Sequence, residues 1–324
     1  MKPQPWLAPL SPIYGTVVSA KNAGYDRGVL SPRRLRGPVI SVGNLSTGGG
    51  GKTPLVIALA RLLTEAGIAV DVLSRGYGRT NDAVERVDPG GSADRYGDEP
   101  LLIAQAAEVP VYVGSSRYAA GLLAERETQR AHLIDDGFQH RQLARDLDIV
   151  VIHRSDLTAQ LLPAGHLREP LSSLRRAQVL VLREEDGELA DSFKKEAERW
   201  QVRRRLVCET PDGPVVAFCG IARPEEFFAG LRTLDIQSAA TVAYADHHRY
   251  IDTDLRFLLA EVGRVKATAL VTTEKDAARL GSAGMATLTA SVAVRVARLE
   301  VTLLEPGQAL ALIHHMINTR VSPR

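Results

Sequence analysis

The run Ser46-Thr47-Gly48-Gly49-Gly50-Gly51-Lys52-Thr53 brings together the groups that hold a polyphosphate. Consecutive glycines let backbone N–H groups turn inward around phosphate oxygens, a lysine reaches the β- and γ-phosphates, and a threonine hydroxyl suits Mg²⁺. The apolar run before it reads as a strand, and residues 54–66 read as a helix whose N-terminus adds positive potential. Pro54 is compatible with a first helical turn, which has no acceptor for its missing N–H. One position departs from the G-x-x-x-x-G-K-[ST] pattern: residue 46 is serine where the first glycine is usual. The chemistry expected is ATP binding with Mg²⁺ and transfer or hydrolysis of the terminal phosphate.

Such a site needs further anionic groups for the metal, and Asp135-Asp136 follow the apolar Leu133-Ile134 as the acids of a Walker B strand do. Other polar clusters also follow apolar runs. Ser74-Arg75-Gly76-Tyr77-Gly78-Arg79 pairs glycines with two guanidinium groups suited to phosphate. Gly97-Asp98-Glu99-Pro100 places two carboxylates together, and Arg117 follows Ser115-Ser116. Asp246-His247-His248 lies much later in the chain. Taken singly, each of these clusters also fits a solvated loop.

The elements that must position these groups alternate. Short β-rich runs at 38–43, 69–73, 109–113, 131–134, 147–152 and 178–182 are separated by helical patterns, which predicts an α/β fold of P-loop NTPase type with a mostly parallel sheet flanked by helices. A second set at 214–219, 267–272 and 296–303, with a helix over 224–232, predicts a second, smaller α/β domain. Between the sets, 184–206 is polar and charge-rich and reads as a solvated helix plus connection. The expected organisation is an N-terminal segment over 1–36, a P-loop kinase domain over 37–210 and a smaller domain over 211–324.

In the 324 residues a net charge of +2 gives no broad footprint for nucleic acid. Residues 1–40 alone carry +5 and the rest −3. Prolines interrupt the uncharged stretch 3–20, so neither a signal peptide nor a membrane span is expected. Leu10, Ile13, Tyr14, Val17 and Val18 instead share one helical face ahead of a basic run. That pattern suits either a membrane surface or packing on the chain's own domain. The two cysteines form no C-x-x-C, so no disulfide or thiolate-metal framework is expected.

Read in order, V-G-N-L-S leading into G-G-G-G-K-T-P, then S-R-G-Y-G-R, G-D-E-P, D-D-G-F-Q-H, L-R-E-P-L, D-H-H and T-E-K-D, the chain resembles the tetraacyldisaccharide 4′-kinases of lipid A synthesis over residues 42–276. That family characteristically lacks a glycine at the position of Ser46. The resemblance implies transfer of the ATP γ-phosphate to the 4′-hydroxyl of a tetraacylated glucosamine disaccharide 1-phosphate, with Mg²⁺, at the cytoplasmic face of the bacterial inner membrane. It implies Lys52 and Thr53 at the phosphates and metal, Asp135 and Asp136 as the acid pair, and Asp98 as the base partnered by His247, which Asp246 holds. Arg75, Arg79, Arg117, His140 and Glu169 are then candidates for positioning substrate phosphate or nucleotide. The expected partner is the lipid, with peripheral membrane contact and no nucleic acid or protein partner.

Two other classes remain for comparison. A regulatory or metal-insertion GTPase would share the P-loop, but in Thr273-Glu274-Lys275-Asp276 the lysine and aspartate are adjacent, unlike the guanine-reading [NT]-K-x-D, and no His- or Cys-rich tract is present. A nonenzymatic ATP-binding module at a membrane would have no use for Asp98 with His247.

Overall fold

The computed structural model describes residues 5–48, 51–128, 130–193 and 197–321, so Gly49 and Gly50 of the glycine run lie outside the described residues. Its strands are β1 (Val39–Asn44), β2 (Val70–Ser74), β3 (Glu85–Arg86), β4 (Val111–Val113), β5 (Ala131–Asp135), β6 (Leu147–Val151), β7 (Val179–Arg183), β8 (Glu198–Val207), β9 (Val215–Cys219), β10 (Ser238–Ala243), β11 (Ala269–Thr273) and β12 (Ala293–Leu303). The helices are α1 (Ser11–Asp26), α2 (Lys52–Glu65), α3 (Ala93–Tyr96), α4 (Asp98–Ala107), α5 (Arg117–Glu127), α6 (Pro224–Thr233), α7 (Asp252–Val265), α8 (Glu274–Thr289) and α9 (Pro306–Val321). The strands join in one mixed sheet of order β10-β9-β11-β12-β8-β7-β6-β1-β5-β2-β4-β3. The α/β class and the mostly parallel sheet are as the alternating pattern predicts.

The register explains where the site forms. β8, β7, β6, β1, β5, β2 and β4 run parallel as one block, and β10, β9, β11 and β12 run parallel as another. β12 joins them, pairing through Ala293–Ala297 with β11 and, antiparallel, through Arg298–Leu303 with β8. Thr273 at the end of β11 pairs with Ala297, while Val207 at the end of β8 pairs with the next residue, Arg298. The C-terminal edges of the two blocks therefore face each other at the middle of β12. Ligands of open parallel sheets bind beyond the C-terminal strand ends, and here two such edges share one cleft.

β8 is a correction to the solvated helix expected within 184–206. A 3₁₀ segment covers Glu184–Ser192, but Glu198–Val207 is a strand. Its buried Trp200 and Val202 alternate as a strand requires, and the consecutive arginines 203–205 hide that alternation in the sequence. α9, assigned by its position in the chain to the second domain, packs back on the first block, burying Ala309 and Ile313 among Leu55, Leu59 and Leu63 of α2.

α2 forms because Leu55, Val56, Leu59, Ala60 and Leu63 recur at helical spacing and are all buried. Gly51 stands at its N-cap with φ +78°, a conformation open to glycine at little cost. β1 is buried along its whole length, since helices cover both faces of the parallel sheet.

α1 lies half against the body. Ser11 and Tyr14 donate to the carbonyls of Leu161 and Arg168, each at 3.0 Å, and Asn22 Nδ2 donates to Glu169 Oε2 at 2.7 Å. Gly15 is buried, and a Cβ there would meet Leu161 Cδ1 at 2.8 Å, so the close approach of the helix suits glycine. The opposite face leaves Ile13 and Val17 exposed, as are Trp6 and Leu10 in the 3₁₀ segment Pro5–Leu10 before it, so most of the predicted apolar stripe is not used for packing on the chain's own body. Among the described residues no helix is long and apolar enough to cross a membrane.

Candidate active site

A cleft of about 880 Å³ opens between the two facing strand edges. From the first block it is lined by Thr47, Gly48, Gly51, Lys52 and Thr53, by Asp135 and Asp136, and by Arg75, Arg117 and His140. The second block contributes Asp246, His247 and Lys275. Residues separated by some two hundred positions thus reach one cavity.

Lys52 is held at the cleft floor by Asn44 Oδ1 at 2.9 Å and Asp136 Oδ1 at 3.1 Å. Arg168 forks onto the same carboxylate at 2.7 and 2.8 Å and also donates to Asn44 Oδ1. Burial raises the Asp136 carboxyl, but Lys52 and Arg168 outweigh it and hold the group far below the usual carboxylate range. Ser46 accepts from Asn44 Nδ2 at 3.2 Å and bridges to Leu167 as an antiparallel neighbour. The missing glycine is therefore not a lost turn: position 46 is extended backbone pairing with 167, and its hydroxyl orients the asparagine that holds Lys52.

Asp135 behaves oppositely. Burial, then the charges of Glu99 and Asp136, push its carboxyl up to about 7, and its Oδ1 is buried with no hydrogen-bond partner among the described residues. A bound cation would favour its ionised form.

Asp98 and His247 come together as the sequence motifs imply. His247 Nδ1 lies 3.2 Å from Asp98 Oδ2. His247 has φ +59°, and its ring lies against that of Tyr77, with centroids 5.0 Å apart. The hydrogen bond to Asp98 is the main reason its pKa rises above the ordinary histidine value. Asp98 sits behind the cleft wall, at the seam where α4 meets the second block, and is 5% exposed. Asp246 Oδ1 is 3.9 Å from His247 Nε2, an ion-pair separation rather than a hydrogen bond. His248 faces away, stacking on Tyr244 and bonding Asp254 at 2.9 Å.

One residue at this seam, Arg279, escapes sequence reasoning, and Lys275 enters it only as part of a motif. Arg279 donates to Asp98 Oδ2 through Nε at 2.8 Å and through Nη2. Lys275 bonds Glu99 Oε1 at 2.6 Å. Burial would raise the Asp98 carboxyl, but His247, Arg279 and Lys275 together hold it well below the usual range. The T-E-K-D motif signalled Lys275, and Arg279 lies one helical turn beyond Asp276. Asp276 itself is buried, accepting from Gly220 N and Tyr250 Oη at 2.9 Å each, so it is not free to read a guanine edge.

The remaining candidates divide. Burial lowers Arg117 to about 10, partly offset by Asp136 and Asp135. Burial, with Arg117, Arg145, Lys21 and Arg75 nearby, lowers His140 to about 4, so this histidine is neutral near pH 7. Both line the cleft with Arg75. Arg79 and Glu169 do not line it. Arg79 donates to Ala83 O at 2.7 Å and ties its own loop. Glu169 takes Arg176 at 2.9 Å as well as Asn22, anchoring α1 beside the segment that carries Arg168.

The sequence matches the family model described as tetraacyldisaccharide-1-P 4′-kinase over residues 3–318. The tetraacyldisaccharide 4′-kinase of Koribacter versatilis is 44% identical over 290 residues, 84% of this chain and 88% of that protein. That of Geobacter metallireducens is 38% identical over 325 residues, 93% of this chain and 94% of that protein. Among solved structures, LpxK from Aquifex aeolicus in complex with ATP is similar with a TM-score of 0.78 and 33% identity, over 96% of this chain and 98% of that one.

Proposed function

The chain belongs to the tetraacyldisaccharide-1-P 4′-kinase family, and from that premise we propose how its own residues move the γ-phosphate of ATP to the 4′-hydroxyl of a tetraacylated glucosamine disaccharide 1-phosphate. The observation that carries the reading is the single cleft in which Lys52 and the Asp135-Asp136 pair of one block face His247 of the other, with Asp98 directly behind it. The glycine loop and Lys52 take the β- and γ-phosphates. Arg75 and Arg117 offer guanidinium groups for the remaining phosphate charge.

The donor set fits Mg²⁺. Asp135 Oδ1 is buried and unpartnered, Asp136 is ionised beside it, and Thr53 lines the same cleft. Among the described residues no group of three or more His, Cys, Asp or Glu forms a metal cage; Mg²⁺ usually takes one or two carboxylates with water and phosphate oxygens. When bound, the ion screens charge on the transferring phosphoryl group. Asp135 and Asp136 would hold it, leaving Lys52 for the phosphates.

A sugar hydroxyl is a weak nucleophile, so a positioned proton acceptor is needed as the bond to phosphorus forms. Asp98 supplies it and His247 orients it, a contribution of about 10²–10⁴-fold. We take the two blocks as lobes with their boundary near residue 210. Asp98 belongs to one and His247 to the other, so the dyad is complete only when the lobes meet, and small movement at the seam admits the hydroxyl to Asp98. With γ-labelled ATP, Mg²⁺ and the disaccharide lipid, label is expected in the lipid. Label released only as inorganic phosphate would sink the kinase reading in favour of a simple ATPase.

The exposed face of α1 carries the lipid end of the reaction. Trp6, Leu10, Ile13 and Val17 suit acyl chains, and the basic residues that follow suit anionic headgroups, a peripheral mode of attachment at the cytoplasmic face of the inner membrane. The Ile13→Glu/Val17→Glu protein is expected to bind anionic vesicles about tenfold more weakly in a sedimentation assay. Unchanged binding would place the membrane contact elsewhere.

A further inference from the structure

Asp98 is held by more than its histidine. Oδ2 receives Arg279 Nε and Nη2 as well as contact with His247 Nδ1 at 3.2 Å, while among the described residues Oδ1 accepts only the backbone N–H of Glu99 at 3.0 Å. Each carboxylate oxygen offers about two acceptor directions. Oδ2 is therefore saturated, and Oδ1 retains capacity. Arg279 is itself fixed, donating through Nη1 to Gly220 O at the end of β9 and to Asp276 Oδ1 at 3.1 Å. Asp276 is anchored in turn by Gly220 N and Tyr250. The guanidinium and Asp98 are both almost fully buried, with side-chain exposures of 6% and 5%.

We propose that Arg279 is a positioning residue for the phosphoryl transfer: reaching across the seam from α8, it occupies Asp98 Oδ2 with a rigid fork and leaves Oδ1 as the oxygen that takes the proton of the sugar hydroxyl. This rests on Asp98 being the base. The O–H bond of the hydroxyl breaks toward Oδ1 as its oxygen bonds to phosphorus and the bond to the ADP oxygen breaks. Arg279 neither gives nor takes a proton. Its charge keeps Asp98 ionised, and its planar fork fixes the direction in which the carboxylate faces, a task a lysine point charge performs less well.

The groups facing Asp98 are Arg279 and Lys275 from α8, His247 from the loop after β10 and Glu99 from its own helix, with Asp246 beyond His247 and Asp276 beyond Arg279. Among these Arg279 and His247 both touch Asp98 Oδ2, and Arg279 is the one that keeps its charge at every working pH. Removing it moves the Asp98 carboxyl toward the ordinary carboxylate range, so protonation silences the base at a higher pH.

The test compares Arg279→Gln, Arg279→Lys, Asp98→Asn and the double variant in the labelled-ATP assay across pH. Arg279→Gln is expected to lower kcat by about 10–100-fold with KM for ATP within about threefold. The acid limb of its kcat profile should rise by at least about one pH unit. Arg279→Lys should restore the acid limb but not full turnover. In the Asp98→Asn background Arg279→Gln should add less than about threefold. Circular dichroism over the same pH range gives the folded fraction of each variant, and a limb read from activity per folded molecule separates positioning from stability. An unmoved limb, a faster Arg279→Gln enzyme, or an effect fully additive with Asp98→Asn would overturn the proposal. Should Asp98→Asn alone leave turnover intact, the assignment of the base itself fails, whatever Arg279 does.

Discussion

Asp98→Asn is expected to lower kcat by about 10²–10⁴-fold while ATP affinity changes by less than about threefold. Asparagine keeps the shape and an oxygen for Arg279 while removing the carboxylate's charge and its capacity to hold a proton from the hydroxyl. Alanine is a poorer choice. Arg279 and Asp98 form a buried pair, and deleting one partner of such a pair typically costs about 3–5 kcal/mol because a charge is left uncompensated. The loss here is smaller than that range implies, since Asp276 and Gly220 O also hold Arg279, but it would still mix folding with chemistry. Steady-state turnover beside equilibrium binding of a nonhydrolysable nucleotide separates the two quantities. Turnover unchanged in Asp98→Asn would remove this residue from the base role.

Lys52→Ala is expected to lower kcat/KM by about 10²–10³-fold, with weaker binding of ATP as well. Both quantities fall because a lysine at the β- and γ-phosphates meets charge in the ground state and meets it again as the phosphoryl group leaves. The fold should survive. Asp136, the carboxylate that Lys52 neutralises at 3.1 Å, keeps its two hydrogen bonds from Arg168, so no carboxylate is stranded. Thermal melting should show a modest change beside the large kinetic one. A Lys52→Ala protein with wild-type nucleotide affinity and turnover would show that the phosphates bind elsewhere in the cleft.

The α1 segment links the exposed apolar face proposed for the lipid to the acid pair through neighbouring residues. Tyr14 and Asn22 bind the chain at Arg168 and Glu169, and Arg168 forks onto Asp136. The helix whose outer face carries Ile13 and Val17, continued by Trp6 and Leu10 just before it, is thus two contacts from the acid pair. Glu169, which the family resemblance suggested for substrate, serves this connection in the structure rather than lining the cleft. Its motif drew attention to the right segment, but the residue that reaches the site is Arg168, one position earlier.

Local pattern was enough wherever chemistry and backbone were specified by neighbours in the chain. The strand before Ser46, the lysine and threonine after the glycines and the helical repeat of Leu55, Leu59 and Leu63 declared the phosphate loop. The regular alternation of apolar runs declared the parallel sheet, and the order of short motifs from 42 to 276 declared the family. Charge patterning hid other elements. Arg203, Arg204 and Arg205 masked the strand β8, and a weakly apolar SAATVA gave little sign that β10 closes the sheet edge.

The tertiary structure alone decided three matters. The register of β12, where Ala297 meets Thr273 and Arg298 meets Val207, turned two ligand-binding edges toward each other. Burial then gave adjacent carboxylates opposite characters, with Asp136 ionised beside Lys52 and Arg168 and Asp135 raised by burial and by the charges of Glu99 and Asp136. The contact of Arg279 with Asp98, 181 positions away, added a partner that no motif names. The sequence encodes residue types and local periodicity, which are enough to specify a phosphate loop. Which distant charges share a low-dielectric space depends on long-range pairing, and that pairing sets the protonation and aim of the groups that do the chemistry.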